Sequence, residues 1–129
     1  MTSQSQLTAQ SPMIVVVDDD PAVRNSLKFS LELEGFAVRA YRSAAELLSA
    51  GEPGDCRCYV IDQRMPDMNG IDLIGKLRER RIATPAILVI SQPNELLSAR
   101  AAKARVPIVE KPFLNNLLVD KIREACQRA

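Results

Sequence analysis

The sequence contains no histidine, and this absence removes several kinds of chemistry. Serine or cysteine nucleophiles that depend on an imidazole base are excluded. Cys56, Cys58 and Cys126 lack the C-x-x-C spacing, and no histidine is present to complete a zinc site with them. We therefore interpret the cysteines as reduced structural thiols, which agrees with a reducing compartment.

The sequence also lacks a charge imbalance and a long apolar run. Its 17 basic and 16 acidic residues leave a net charge of +1, which gives no reason to expect a nucleic-acid or membrane surface. The longest apolar runs, of about five residues, fall far short of the roughly 20 that a membrane-spanning helix needs. Residues 1–12 lack the basic start and apolar centre of a signal peptide. We expect them to form a flexible tail on a cytoplasmic protein.

The remaining composition is that of one folded domain. Of 129 residues, 47% are hydrophobic and 26% are charged, which suits a single core and argues against disorder. Apolar runs alternate with segments of helical period over residues 13–127, the predicted domain. Such alternation implies an α/β fold with a parallel sheet and helices on both faces. Five strand–helix units favour a doubly wound, flavodoxin-like sheet with strand order 2-1-3-4-5.

The predicted elements follow from apolar periodicity and from helix-capping signals. Strands are predicted at residues 13–17, 36–41, 57–61, 86–90 and 106–109. The first helix begins at Pro21 and ends before Gly35, and the second follows the capping box of Ser43 and Glu46. A loop over 63–69 leads to the third helix, and the fourth covers 95–104. The last helix carries apolar residues at Leu114, Leu117, Leu118, Ile122 and Ala125.

Polar side chains stand where the predicted strands end. Asp18, Asp19 and Asp20 follow strand 1, Asp62 ends strand 3, Ser91 follows strand 4, and Lys111 follows strand 5. Ligands of doubly wound sheets bind at this edge, near the switch point between strands 1 and 3. Clustered carboxylates repel one another, so they must take up protons or bind a cation. A set of oxygen ligands with water favours Mg²⁺.

This set of side chains suits phosphoryl transfer, which requires mainly positioning and charge neutralisation. A metal held by the carboxylates could carry phosphate oxygens in its remaining positions. Lys111 would add a positive charge on the other side of the phosphoryl group, and Ser91 could donate a hydrogen bond. Asp62 is then a candidate nucleophile that forms an acyl phosphate.

Four motifs, in order along the chain, resemble those of one known family. They are V-V-V-D-D-D-P-A-V-R at 15–24, V-I-D-Q-R-M-P-D-M-N-G at 60–70, V-I-S at 89–91 and E-K-P-F at 110–113. The chain is similar to the receiver domains of bacterial two-component response regulators, and most of all to those of the nitrogen-fixation type. The resemblance covers about residues 13 to 127 and implies a phosphoacceptor rather than a conventional enzyme.

The resemblance also implies roles for single residues. Asp62 would accept a phosphoryl group from a phosphohistidine of a sensor kinase or phosphotransfer protein. Asp19 would bind Mg²⁺ directly and Asp18 mostly through water, and Asp62 and the backbone carbonyl of Arg64 would complete the metal site. Lys111 would contact the phosphoryl group, and a cis peptide bond would precede Pro112. Ser91 would move toward the phosphoryl oxygen and shift an equilibrium between inactive and active states of helix 4, strand 5 and helix 5.

The sequence departs from the family pattern at three places. Gln92, followed by Pro93, stands where Gly or Ala is usual after the switch hydroxyl, so a long side chain could crowd the path to Asp62. Ile108 replaces the usual aromatic residue, and the distance from Ser91 to Lys111 is about two residues short by comparison with the family. We hypothesise an altered output surface around helix 4, strand 5 and helix 5, including one that works without phosphorylation.

Two other functions stay open at this stage. One is a degenerate receiver that acts only as a binding module. The other is a haloacid-dehalogenase-type phosphohydrolase with Asp18 as nucleophile and Asp20 as acid, although Ala22 stands where such enzymes have Thr or Val. Against that reading, Asp20 before Pro21 is typical of a helix N-cap.

Several other features receive plainer interpretations. Asp67 and Asn69 are interpreted as loop and cap residues, and R-E-R-R at 78–81 as a solvated helix end. The chain stops after helix 5, as expected of a single-domain receiver or of the N-terminal part of a longer regulator. A homodimer through helix 4, strand 5 and helix 5 stays open, because the core already needs the apolar stripe of helix 5.

Overall fold

A computed structural model describes residues 11–51, 54–113 and 116–128 of the chain. The five strands are parallel and stand in the order β2-β1-β3-β4-β5. The strands are β1 (Met13–Val17), β2 (Ala37–Tyr41), β3 (Cys56–Asp62), β4 (Ala86–Ile90) and β5 (Ile108–Glu110). The helices are α1 (Pro21–Leu33), α2 (Ala44–Ala50), α3 (Gly70–Glu79), α4 (Glu95–Lys103) and α5 (Leu117–Arg128). The predicted fold class and strand order are confirmed.

The core consists of two apolar layers, one on each face of the sheet. Val15 and Val17 of β1 face a layer that includes Leu47 of α2, Leu77 of α3 and Leu97 of α4. The alternate β1 residues, Ile14 and Val16, face a layer built with helices α1 and α5 through Leu27, Leu31, Leu118, Ile122 and Ala125. A strand covered on both faces must be apolar at every position, which explains the uninterrupted run in β1.

The helices begin at the polar residues that the capping signals indicated. The Asp20 side chain accepts hydrogen bonds from the backbone N–H groups of Ala22 and Val23, so its predicted role as N-cap is confirmed. Ser43 accepts from Glu46 at the start of α2. Asn69 and Asn94 cap α3 and α4 in the same way. Each cap satisfies an N–H group that has no partner within its own helix.

Three helices end in the same way, and this corrects two predicted strand starts. A residue with positive φ follows the C-cap of α1, α3 and α4; these residues are Gly35, Arg81 and Arg105. The next N–H group then reaches back to the helix, from Phe36 to the Leu31 carbonyl and from Val106 to the Ala101 carbonyl. Such a Schellman motif uses backbone groups that a strand would need. Phe36 and Val106 therefore close helices, and β2 and β5 begin later than predicted.

Some predictions fall partly or wholly on residues that are not described. Of the expected N-terminal tail, only Ser11 and Pro12 lie among the described residues, and the Pro12 carbonyl accepts a hydrogen bond from Ala37 N–H. Leu114, assigned from the sequence to the last helix, lies outside them, and α5 begins at Leu117. Within the described ranges, no helix combines the length and apolar character needed to cross a membrane.

Candidate functional site at the carboxyl ends of the strands

Three of the predicted site residues come together at the edge of the sheet. Asp18 and Asp19 follow β1, and Asp62 ends the adjacent strand β3. One carboxylate oxygen from each lies within 4.8 Å of the others. Asp18 and Asp62 are buried, whereas Asp19 is exposed. The site is therefore an acidic pocket with two carboxylates in its wall and one at its rim.

Asp18 is held by backbone and side-chain hydrogen bonds from neighbouring elements. Its N–H donates to the Tyr41 carbonyl at the end of β2, over 3.1 Å. Its Oδ1 accepts from Asp20 N–H at 2.9 Å, and its carbonyl accepts from the Arg24 guanidinium of α1 at 2.8 Å. These contacts fix the turn between β1 and α1, and with it the direction of the Asp18 carboxylate.

Lys111 completes the pocket from the other side. Its N–H donates to the Ile90 carbonyl at 2.8 Å, which places the residue beyond the end of β5 and next to β4. Its Nζ lies 3.4 Å from Asp18 Oδ2 and 3.3 Å from Asp62 Oδ1. The peptide bond between Lys111 and Pro112 is cis, as the family resemblance implied. One ammonium group thus bridges the two buried carboxylates.

The charges of the pocket do not balance, and the pKa of Asp62 shows this. Burial raises the pKa of Asp62 to about 6, the Asp18 carboxylate adds to the increase, and Lys111 opposes it. For Lys111, burial alone would lower the pKa, but the Asp62 and Asp18 carboxylates outweigh burial and raise it. Lys111 is therefore charged at neutral pH. Three carboxylates share one ammonium, and the pocket retains an attraction for a further cation.

The donor set fits a hard divalent cation. All three acidic side chains offer carboxylate oxygens, and among the described residues they are the group close enough together to hold a metal ion. Carboxylate oxygens with room for water are what Mg²⁺ prefers, because it releases its hydration shell reluctantly. Asp19 is exposed, so water or a phosphoryl oxygen can reach this side of the pocket.

Ser91 and Arg64 line a separate cavity beside the ends of β3 and β4. Ser91 follows β4 directly and is exposed, and Arg64 lies two residues after Asp62 and is also exposed. Both line a cavity of about 590 Å³ between the segment after β3 and helix α4, which Gln92 and Pro93 also line. The structure therefore places the hydroxyl and the long Gln92 side chain beside the same opening.

Sequence reasoning missed three residues that shape the site. Arg24 binds the Asp18 carbonyl, and Gln63 binds the start of α3 through its side chain. Gly70 stands where a Cβ atom would lie 2.6 Å from the Asp62 carbonyl oxygen. Gly70 carried a signal, because a glycine at the start of a helix often permits a close backbone approach. Arg24 and Gln63 lie within the family motifs at 15–24 and 60–70, but nothing in the sequence around them indicated these particular hydrogen bonds.

Gly70 yields a first testable prediction. We expect Gly70→Ala to lower the free energy of unfolding by about 1–3 kcal/mol, because the new methyl group would overlap the Asp62 carbonyl and the Leu88 side chain. Urea denaturation measures the change. Gly75→Ala is the matched control in the same helix, since nothing lies within 4 Å of its added Cβ. That variant should be neutral or more stable by up to about 1 kcal/mol. Equal effects of the two substitutions would contradict the predicted overlap.

Comparison with known proteins assigns the arrangement to a family. Residues 14–123 match the family described as the response regulator receiver domain. The chain is 34% identical over 113 residues to the transcriptional regulatory protein FixJ of Rhizobium meliloti, an alignment that covers 87% of this chain and 55% of that protein. FixJ of Azorhizobium caulinodans is 36% identical over 121 residues, covering 93% of this chain and 57% of that protein. The chain thus spans about half the length of these curated relatives.

Solved structures support the same assignment. The crystal structure of FixJ-N is 33% identical, with a TM-score of 0.81, and the match covers 93% of this chain and 97% of that one. A CheY-like receiver domain protein from Methanospirillum hungatei is 29% identical, with a TM-score of 0.83 and coverage of 92% and 96%. The family resemblance stated from the motifs is confirmed. With its acidic pocket and bridging lysine, the chain belongs to the response regulator receiver domain family, the phosphoacceptor modules of two-component signalling.

Proposed function

We propose that residues 13–127 form a receiver domain that accepts a phosphoryl group on Asp62 in a reaction that depends on Mg²⁺. The observation that supports this most directly is the bridging position of Lys111, 3.3 Å from Asp62 and 3.4 Å from Asp18. A buried carboxylate beside an ammonium group and two further acids is arranged to receive an anion together with a cation. The donor would be the phosphohistidine of a sensor histidine kinase or of a phosphotransfer protein.

In the proposed step, an Asp62 carboxylate oxygen attacks the phosphorus atom of the phosphohistidine. The phosphorus–nitrogen bond breaks, its electron pair stays on the imidazole nitrogen, and that nitrogen takes up a proton. Lys111 lies where it can neutralise charge on the incoming phosphoryl oxygens. Asp18, Asp19 and Asp62, with the Arg64 backbone carbonyl, would hold Mg²⁺. The ion would supply the charge neutralisation that lets anions meet in this pocket.

The kinase contact is proposed for the surface beside the pocket. A groove of about 880 Å³ runs from Lys111 along α1 to Glu34 and is lined by Leu33 and Phe113. Leu33 and Phe29, one helical turn apart on α1, are exposed despite their apolar character. These two residues lie in the last turns of α1, and the groove connects that end of the helix to Lys111 at the acidic pocket. A partner protein could bind the apolar part of the groove while it brings a reactive group to Asp62. We propose no direct contact of this chain with nucleic acid or membrane.

The phosphohydrolase alternative lacks support from the positions of its required residues. That reading needs Asp20 as a general acid, but the Asp20 carboxylate caps α1 and is exposed. It also leaves Asp62 and Lys111 without a role. The test is hydrolysis of a small phosphate ester. Activity that is retained in Asp62→Asn but lost in Asp18→Asn would favour the hydrolase.

Phosphorylation by a small donor tests the proposed function. We expect the wild-type chain, incubated with phosphoramidate and Mg²⁺, to gain the mass of one phosphoryl group, and peptide mapping to place it on Asp62. A chelator should prevent the gain, because the acids would then repel the donor. Intact-mass spectrometry measures the product. No gain under conditions that phosphorylate a known receiver would refute the proposal and favour a binding module.

The output surface is tested separately. We propose that Ser91 couples the phosphoryl group to α4, β5 and α5, and that Gln92, Ile108 and the short Ser91–Lys111 interval reduce this coupling. Beryllofluoride with Mg²⁺, a mimic of the phosphoryl group, should then leave the amide chemical shifts of α4 and β5 nearly unchanged while shifting those around Asp62. Large shifts across α4 and β5 would show ordinary switching instead. Sedimentation of the same samples would show whether this surface forms a homodimer.

A further inference from the structure

Gln63, the residue after the candidate phosphoacceptor, links β4 and α3 through three hydrogen bonds of its own. Its N–H donates to the Val89 carbonyl of β4 at 2.8 Å. Its carbonyl accepts from Gly70 N–H at 3.0 Å, and its side-chain Oε1 accepts from Ile71 N–H at 2.9 Å. The loop over residues 64–69 is therefore closed at its base by a single residue.

These bonds divide the capping of α3 between two residues. The first N–H groups of a helix have no partner inside it. Here Gln63 accepts from Gly70 and Ile71, and the Asn69 side chain accepts from Asp72. The Asn69 carbonyl accepts the first regular bond of the helix, from Leu73 N–H. The Ile71 bond lies in a partly buried environment, whereas the Asp72 bond is exposed to solvent. Water can replace the Asn69 cap more readily than the Gln63 cap.

The start of α3 also packs directly against the main chain of Asp62. A Cβ atom at Gly70 would lie 2.6 Å from the Asp62 carbonyl oxygen and 3.0 Å from Gln63 Cα. The helix therefore has no room to move toward β3, and the Gln63 side chain keeps it from moving away. Gln63 thus connects the chain beside Asp62 to both neighbouring elements. Its N–H bonds to β4, and its side-chain oxygen bonds to α3.

We propose that Gln63 is a positioning residue for phosphorylation of Asp62. Its side-chain oxygen holds the first turn of α3 against the Asp62 main chain, and this sets the direction of the Asp62 carboxylate and of the Arg64 carbonyl. The inference rests on the proposed function. A misplacement of about 1 Å can slow a reaction by about a hundredfold, so a modest loosening of the loop should be measurable.

Three variants separate positioning from simple helix capping. Gln63→Met keeps the length of the side chain but removes the accepting oxygen. Gln63→Glu keeps both the length and an accepting oxygen. Asn69→Ala removes the other side-chain cap of the same helix. We expect Gln63→Met to lower the rate of phosphorylation by phosphoramidate at saturating donor by about tenfold. The donor concentration for half-maximal rate should stay unchanged, Asn69→Ala should stay within about twofold of wild type, and Gln63→Glu should recover most of the rate.

Amide hydrogen exchange supplies a second measurement that does not depend on activity. The Ile71 amide should exchange faster in Gln63→Met than in wild type, while the Asp72 amide should be affected in Asn69→Ala. The inference would be overturned if Gln63→Met were phosphorylated at the wild-type rate. It would also be overturned if Asn69→Ala slowed phosphorylation as much as Gln63→Met does, or if Gln63→Glu were as slow as Gln63→Met. Failure of the wild-type chain to become phosphorylated would instead refute the proposed function.

Discussion

Asp62→Asn is expected to abolish the phosphoryl adduct. Asparagine keeps the shape of the side chain, but its amide is a far weaker nucleophile than a carboxylate. Asp18 and Asp19 are close to the reacting position, yet they would serve the cation. Intact-mass spectrometry after incubation with phosphoramidate and Mg²⁺ should show a complete loss of the adduct.

Asp67→Asn is the matched control for this experiment. Asp67 lies in the loop that follows Asp62 and is exposed, and its Oδ2 accepts a hydrogen bond from Ala45 N–H at 2.8 Å. Asparagine retains an accepting oxygen there, so folding should be preserved and the adduct should form at the wild-type rate. An adduct of undiminished yield in Asp62→Asn would mean that another carboxylate is the acceptor.

The same Asp62→Asn substitution is expected to stabilise the metal-free domain at neutral pH. The pKa of Asp62 is raised from 3.8 to about 6, chiefly by burial and next by the Asp18 carboxylate. Between these two pH values the folded state retains a proton that the unfolded state has lost. Folding therefore becomes less favourable as the pH rises through this window, and the full penalty is present above about 6. Asparagine carries no charge and avoids that penalty.

The expected gain in unfolding free energy at pH 7.5 in a chelator is on the order of 1–3 kcal/mol. The gap between the variant and wild type should narrow as the pH falls from 6 toward 4, since Asp62 of the wild type then becomes protonated. Urea denaturation at several pH values measures both effects, with Asp67→Asn as the control that should follow the wild type.

In saturating Mg²⁺, we expect the wild type to become more stable than Asp62→Asn. A cation that binds only the folded state adds stability by mass action, and the wild-type pocket offers one more carboxylate than the variant. Two outcomes would contradict this prediction. One is a difference in stability between Asp62→Asn and wild type that does not change with pH, and the other is a variant less stable than wild type in chelator at pH 7.5. Either would show that the ionised Asp62 carboxylate does not destabilise the folded state.

Much of the architecture could be predicted because it depends on patterns within short segments. The uninterrupted apolar runs 13–17 and 86–90 predicted strands buried on both faces, and they coincide with β1 and β4. Capping residues such as Asp20 and Ser43 predicted helix starts for the same reason: the side chain and the N–H group that it accepts from are two or three residues apart. Strand ends were less predictable, because Phe36 and Val106 are apolar residues that the preceding helix uses for its own closure.

The sequence by itself determined which acids and which lysine belong to the site, because parallel strands bring the residues after their carboxyl ends to one edge. Only the tertiary structure decided how these groups differ from one another. Asp18 is buried and Asp19, its neighbour, is exposed, because successive residues leave the end of a strand in opposite directions. Likewise, the contact of Gly70 with Asp62 and the bond from Ile71 to Gln63 join residues eight apart. Neither pair lies within one helix or one strand, so both contacts follow from the path of the loop over residues 64–69 across the edge of the sheet.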